Sequence, residues 1–387
     1  MQVFEATSRA GGRCRSYFDN KLNMEIDNGN HIILSANQNF LNFCKLINSE
    51  QTLNFFEPKF NFFDMDAKNL WSIKLNNGII PFWIMKKSTR IPGTKLLDYF
   101  ALFKLFFCKE KNTVDDLFNK NTKLYNSFWE PITLGILNTQ CNEASAKLLL
   151  NVLKETFLKG GKFCKIIQPK KNWNETLILP ATKYLKNKKT DIKYNTVLKE
   201  LVIENNFIRK LVFSRDEIKI NKLDRVILST PLGLIGKFFP EVKSPKENNT
   251  ILNIHFKIKI KIKKNENPIL GIINSLSHWI FIKKDHISVT ISAANKLNHY
   301  SSEDIARLIW SEVEKSLSIR KEMPDFQVIK EKKATYNQSP SNIKLINNMK
   351  ILPENLSIAG DWTQKNLPST IESAILSGKN SLKNIVY

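Results

Sequence analysis

The sequence is poor in the residues that most often build a metal centre or a disulfide framework. Its 387 residues include five cysteines and five histidines. Cys14, Cys44, Cys108, Cys141 and Cys164 are odd in number, widely spaced and form no C-x-x-C pair. That pattern excludes a disulfide scaffold or zinc ribbon and points to a reducing compartment; no metal site is expected. Long apolar runs are also missing. The greasiest stretch, Leu96 to Phe107, is interrupted by Asp98 and Lys104, and a bilayer span needs about 20 apolar residues. No signal peptide precedes the first motif, so a cytoplasmic location is expected. Acidic residues are in deficit, 36 against 59 Lys and Arg, for a net charge of +23. Such an excess can serve nucleic acid or an anionic membrane. Here the basic residues are mostly Lys, scattered, and match no nucleic-acid-binding motif, so nucleic acid is not expected as a partner. Peripheral contact with an anionic membrane, on its inner face, is the more natural use, because each basic residue near such a surface contributes about 1 kcal/mol.

What is present is a chain with 42% hydrophobic residues, enough for a sizeable core and two domains. Val3-Phe4-Glu5-Ala6 reads as the end of a buried strand and leads into the glycine turn Ala10-Gly11-Gly12-Arg13. Apolar spacing predicts a helix from Phe40 to about Asn48. Short aromatic strands are expected between about 50 and 90, including Leu70 to Ile73, and helices from about 94 to 160, with a long one from Glu143 to Leu158. Strands return at Ile192 to Tyr194, Val197 to Ile203, Ile208 to Phe213 and Arg225 to Ser229. Ile251 to Lys263 alternates Lys with apolar residues, the pattern of a half-exposed strand. Ser288 to Ala293 reads as a strand and Ser302 to Leu317 as a helix. Leu356 to Asp361 reads as a strand ending in Gly-Asp, followed by a helix from Pro368 to about Ile385.

Several of these positions can carry chemistry. Glu5, at a strand end, has the placement of an acid that accepts hydrogen bonds from ribose hydroxyls in a dinucleotide fold. Gly11 and Gly12 would let backbone approach a phosphate, and Arg13 would neutralise it. Asp27-Asn28-Gly29-Asn30-His31 reads by itself as a tight Asn-Gly turn. Gly360 and Asp361 end a strand. Thr370-Ile371 opens a helix whose positive end could face a group that becomes negative on reduction.

In this order, Val-Phe-Glu-Ala, Ala-Gly-Gly-Arg, Ile-Asp-Asn-Gly-Asn-His and Ala-Gly-Asp-Trp with Leu-Pro-Ser-Thr-Ile-Glu-Ser-Ala resemble the FAD-dependent amine oxidase and phytoene desaturase superfamily. Three further segments resemble the hydroxysqualene dehydroxylase group within it. They are Phe128-Trp129-Glu130-Pro131 with Leu137-Asn138-Thr139, Ser277-His278-Trp279-Ile280-Phe281 with Val289 to Ala294, and Glu331 to Tyr336. The resemblance runs from residue 2 to about 380. It departs from the group in three places. The group's first strand and G-x-G-x-x-G loop have no counterpart before Met1, so the expectation is a misassigned start or a shortened gene. Ser373 stands where the group usually has Gly. Ile282 stands where an acid is usual, and the nearest acid is Asp285.

The resemblance implies an α/β fold with a discontinuous, N-terminally truncated Rossmann-like FAD-binding domain and an inserted α+β substrate domain. The implied boundaries are 1–36, 187–236 and 348–387 for the first, and 37–186 and 237–347 for the second. It implies FAD contacts from Glu5, Gly11, Gly12, Arg13, Asp27, Gly29, Val197, Gly360, Asp361, Thr370 and Ile371, and catalytic roles for His31 and Asp285. It implies a long-chain isoprenoid substrate, reductive dehydroxylation of hydroxysqualene to squalene, and squalene-synthase-like pathway neighbours. A carotenoid or phytoene desaturase and a cofactor-less, lipid-binding remnant are the alternatives. Phe55, Phe56, Phe60, Phe62, Phe63, Trp71, Trp83 and Trp129 are candidates for an aromatic tunnel or for plain core. Leu96 to Phe107 is a candidate for a membrane-dipping or a buried helix.

Overall fold

The structure, a computed structural model, describes residues 1–261, 266–351 and 353–382. Two short parallel pairings join distant parts of the chain. Strand Val3–Phe4 pairs with Ile192–Lys193, and Val226–Leu228 pairs with Leu356–Ile358. An antiparallel sheet of Leu198–Glu204, Phe207–Phe213 and Glu217–Lys219 completes this region. Phe4, Phe213, Leu228, Ile358 and Trp362 share one apolar cluster, with the Phe4 and Phe213 rings 4.6 Å apart.

A seven-stranded sheet forms the other large body. Its order is Phe326–Tyr336, Asn248–Phe256, Ile287–Ile291, Trp279–Ile282, Ile269–Ile273, Lys59–Asp64 and Asn69–Lys74. All its pairings are antiparallel except that of Ile269–Ile273 with Lys59–Asp64. Side chains alternate between the faces of a strand, and the two faces of this sheet differ. Leu252, Ile254, Phe256, Ile280, Ile287, Val289 and Ile291 pack under helix Ser302–Leu317 through Ile305, Ile309, Trp310 and Val313. The 3.6-residue repeat puts those helix positions on one stripe, and each fully buried aliphatic or aromatic side chain contributes about 1.5–3 kcal/mol. Both ends of the helix are capped: Ser301 Oγ accepts from Asp304 N at 3.0 Å, and Ser318 takes the left-handed conformation at its end. The opposite face carries Asn253, His255, Ser288, Thr290, Trp279 and Phe281, all buried.

Two expectations differ from the structure. The alternating Lys segment does not continue as a strand. Strand Asn248–Phe256 ends where both partners end, with Phe256 opposite Ile287 and Phe326. Lys257, Lys259 and Lys261 then run exposed beyond the ladder, since an ammonium cannot take a place inside a sheet buried on both faces; residues 262 and 263 lie outside the described residues. The predicted long helix from Glu143 is shorter, Ala146–Glu155, because Ser145 caps it and Thr156 leaves helical geometry. The segment from 94 to 137 is a series of short turns and helices, among them Leu96–Ala101, Leu102–Phe106 and Glu130–Leu137. The C-terminal helix is Ile371–Ser381, and the tail expected to continue it to Ile385 lies outside the described residues from 383 onward. Among the described residues, no helix is long and apolar enough to cross a membrane.

Candidate active site

The polar face of the large sheet, the turn at 28–31, and segments near the start and end of the chain, 5–15 and 359–378, enclose a cavity of about 1520 Å³. Glu5, Gly11, Gly12, Arg13, Gly29, His31, Gly360, Asp361, Thr370 and Ile371 all line it. Asp27, Val197 and Asp285 do not. Asp27 lies behind the wall, and Val197 is exposed beside Thr196, whose N donates to Glu5 O at 2.9 Å. Asp285 is half exposed and pairs with Lys259 at 3.6 Å, so the structure does not bring it to the cavity.

Local geometry explains each placement. Gly11 and Gly12 have φ of +108° and +53°, a region that strongly favours glycine. A Cβ on Gly12 would meet nothing within 4 Å, so its backbone is open to a ligand. Glu5 Oε1 accepts from Thr7 N and Thr7 Oγ1, both at 2.8 Å, which fixes the carboxylate at the strand end. Arg13 Nη2 pairs with Asp361 Oδ1 at 2.6 Å, and its other arm donates to Ala334 O. The two residues therefore brace one another across the chain. Thr370 caps helix Ile371–Ser381 by accepting from Ser373 N at 3.3 Å, leaving the positive end of that helix toward the cavity. Ser373 fits fully buried because its hydroxyl donates to Pro368 O at 2.5 Å.

The Asp27–His31 turn is anchored from below. Asp27 is 1% exposed; it accepts from Ser16 Oγ at 2.5 Å and from Trp173 N at 3.2 Å, and it pairs with Lys283. Burial pushes its carboxyl up, but the Lys283 charge and these hydrogen bonds prevail and hold it below the ordinary carboxylate value. His31 is pushed down to about 4 by burial, with the Asp27 charge opposing, so it is neutral at pH 7. Its ring stands edge-on to Trp173 at 5.9 Å.

Several residues here have roles that the sequence reading did not assign. Glu372 accepts from Asn39 N at 3.0 Å, Asn39 Nδ2 at 2.8 Å and Phe40 N at 2.8 Å. It ties the start of helix Gln38–Leu46 to the start of the C-terminal helix, a contact between residues over 330 positions apart that spacing cannot reveal. Asn253, Ser288 and Thr290 are polar residues inside buried strands, and that interruption of apolar runs is the signal that could have found them. Of the aromatic candidates, Phe60 and Phe62 line the cavity. Trp71 stacks on Phe62 at 4.7 Å. Trp129 stacks on Phe118 at 4.0 Å in the core, Trp83 meets Tyr99 edge-on, Phe56 packs against the cluster that contains Trp129, Phe63 packs toward helix Ser302–Leu317, and Phe55 is exposed.

Residues 1–385 match the flavin containing amine oxidoreductase family. The chain belongs to that family. It is 35% identical to the hydroxysqualene dehydroxylase of Zymomonas mobilis over 98% of this chain and 92% of that protein. With the hydroxysqualene dehydroxylase of Sinorhizobium fredii it is 34% identical over 98% and 91%. Among solved structures, it is similar to a putrescine oxidase with TM-score 0.73 at 10% identity, covering 99% of this chain and 93% of that one. It is also similar to the cyclohexylamine oxidase of Brevibacterium oxydans, with TM-score 0.68 at 10% identity, covering 99% and 92%. The fold is thus the α/β, Rossmann-like fold of FAD-dependent oxidases with a substrate-side sheet, and the chain is an FAD-dependent oxidoreductase. The cavity fits that cofactor on its own terms. Thr230 Oγ1, Ser369 Oγ and His31 Nε2 are buried atoms of lining residues that have no hydrogen-bond partner within the protein; such atoms call for a polar ligand. Among the described residues no group of three or more His, Cys, Asp or Glu could hold a metal ion.

Proposed function

We propose that this flavoenzyme removes the hydroxyl of hydroxysqualene reductively to give squalene. The observation that carries the reading is that one cavity joins the Glu5, Gly12 and Gly360 groove to walls of Phe60, Phe62, Phe128, Ile132, Trp279 and Phe281. Such walls suit an uncharged hydrocarbon chain, and the 35% and 34% identity to hydroxysqualene dehydroxylases extends over nearly the whole length. Glu5 would hold the ribose, Gly11, Gly12 and Arg13 the pyrophosphate, and Gly29, Gly360, Asp361, Thr370 and Ile371 the flavin half. Residues 1–36, 187–236 and 348–387 then act as the FAD-binding unit, which the two parallel strand pairings support.

In the reaction the allylic C–O bond breaks with its electron pair on oxygen, which takes up a proton and leaves as water; a C–H bond forms at the vacated carbon. When bound and reduced, FAD supplies the hydride. The chain's own residues exclude water and present aromatic faces to the developing allylic cation. Neutral His31 can serve as a hydrogen-bond partner at the site, but at pH 7 it carries no charge.

The substrate dissolves in membrane, and a squalene-synthase-like enzyme would supply it. The Leu96 to Phe107 segment suits delivery from the cytoplasmic lipid surface. Leu97, Phe100, Phe103 and Phe107 are exposed there, Phe107 at 83%. Lys154, which lines the cavity, lies 5.9 Å from the Phe106 ring. An apolar patch next to a basic residue of the cavity wall suits a monotopic contact with anionic lipid.

The experiment is to purify the holoprotein by its flavin absorbance, reduce it anaerobically and add hydroxysqualene. Squalene with reoxidised flavin supports the reading. Flavin reduction by a phytoene-type substrate, with no squalene from hydroxysqualene, would replace it with a desaturase. A protein that takes up no flavin would replace it with a lipid-binding remnant.

A further inference from the structure

The polar face of the large sheet has an internal order. Strand register places Asn253 opposite Thr290, Thr290 opposite Trp279, Trp279 opposite Gly271, Gly271 beside Phe62, and Phe62 opposite Trp71. Residues directly opposite on neighbouring strands share a face. A single row thus crosses six strands and changes from polar to aromatic between Thr290 and Trp279. Asn253, Thr290, Trp279 and Phe62 from this row line the cavity. Gly271 makes the aromatic part possible, because a Cβ there would sit 2.5 Å from the Phe62 ring and 3.1 Å from that of Trp279.

Asn30 docks onto the polar part of the row. Its Nδ2 donates to Ser288 Oγ at 2.6 Å and Thr290 Oγ1 at 2.9 Å, and lies 3.4 Å from Asn253 Oδ1. Asn30 N is also 3.4 Å from Asn253 Oδ1. Thr290 Oγ1 in turn donates to Asn253 Oδ1 at 2.8 Å, and Asn253 Nδ2 donates to Asn28 O at 3.3 Å. Every contact of the Asn30 amide toward the sheet uses its NH₂ group. Its Oδ1, on the other prong, is buried without a partner, in a residue that lines the cavity. A buried acceptor with no donor costs about 1–3 kcal/mol, so this amide is held in an orientation that only an incoming donor would satisfy.

We infer that Asn30 Oδ1 is the acceptor for the hydroxyl of the substrate, with Asn253, Thr290 and Ser288 as positioning residues and Trp279 under the adjoining allylic carbons. The inference rests on the dehydroxylase reading above. It goes further by naming the point in a long hydrocarbon cavity where the one polar group of the chain is registered. The C–O bond is thereby set at a fixed distance from the aromatic part of the row. It also explains product release: squalene has no hydroxyl and loses this contact.

The test titrates the oxidised holoenzyme in detergent with hydroxysqualene and, separately, with squalene, following the flavin absorbance. Asn30→Ala should weaken hydroxysqualene binding about tenfold, the worth of one buried hydrogen bond, and leave squalene binding and flavin content unchanged. Thr290→Val keeps the shape but frees the Asn30 amide; it should shift hydroxysqualene alone, by a smaller factor, and it answers the question if Asn30→Ala fails to fold. Equal weakening of both ligands, or no change in either, overturns the inference. A wild-type enzyme that cannot tell the two ligands apart and yields no squalene overturns the dehydroxylase reading, and this subsite with it. An enzyme that yields squalene while Asn30→Ala binds hydroxysqualene normally overturns the subsite alone.

Discussion

Lys283→Met removes one half of a buried ion pair and keeps most of the side chain's stem. Asp27 would then remain 1% exposed, with only Ser16 Oγ and Trp173 N as hydrogen-bond donors. Two unit charges about 3 Å apart interact with about 5 kcal/mol at an effective dielectric near 20. Breaking a buried pair by removing one partner costs about 3–5 kcal/mol, because the other charge stays buried. The pH dependence gives the sharper check. In the wild type the Asp27 carboxyl lies below its unfolded value, so its stabilisation is present above about pH 4 and is lost as pH falls through the lower, folded value. Burial is already the largest single influence on this carboxyl; without the opposing Lys283 charge and hydrogen bond it prevails and raises the carboxyl. A raised carboxyl favours the folded state at low pH and costs stability as pH rises through it. The gap between wild type and variant should therefore be widest near pH 8 and narrow toward pH 5. The nearby histidines do not reverse this sign. His286, pushed down to about 3 and so neutral across that range, and His255, also pushed well down, are both held low first by burial. Urea unfolding at several pH values, with flavin content measured in parallel, is the assay. Asp27→Asn combined with Lys283→Met should recover much of the loss by removing the unpaired charge. A gap that is constant with pH, or a double variant no better than the single one, would refute the argument.

Three other outcomes follow from the geometry. Gly271→Ala would place a Cβ 2.5 Å from the Phe62 ring, which Trp71 already backs at 4.7 Å; overpacking of this kind costs about 1–3 kcal/mol. It should reduce squalene formation while the flavin absorbance persists. Glu372→Gln keeps one acceptor but leaves the second site on Asn39 and Phe40 with an NH₂ group facing N–H donors. It should cost about 1–3 kcal/mol by denaturation and loosen flavin, since the helix it opens lines the cavity. Phe103→Ser with Phe107→Ser removes two exposed rings. It should lower co-sedimentation with vesicles containing anionic lipid and leave turnover of detergent-dispersed substrate unchanged; retention on vesicles would count against the proposed membrane contact.

The sequence by itself determined the elements whose causes are local. Helix Ser302–Leu317 follows from its 3.6-residue stripe and its Ser301 cap. The turn at Gly11-Gly12 follows from a conformation that favours glycine. The fold class and the cofactor were legible through resemblance, because Glu5 and Gly11-Gly12-Arg13 near the start and Gly360-Asp361 near the end stand in the order of one family's motifs. Tertiary structure alone decided what depends on pairing across long separations. Asp27 faced inward to Lys283, 256 residues away, and became an anchor behind the cavity wall. Asp285, close in sequence to a site segment, turned outward to Lys259, because it sits in the bend between strands Trp279–Ile282 and Ile287–Ile291 and outside the sheet. The Lys stretch after Phe256 looked like more strand until its partners ended. The row from Asn253 to Trp71 exists only through strand register, because a one-residue slip would send each of its side chains to the opposite face.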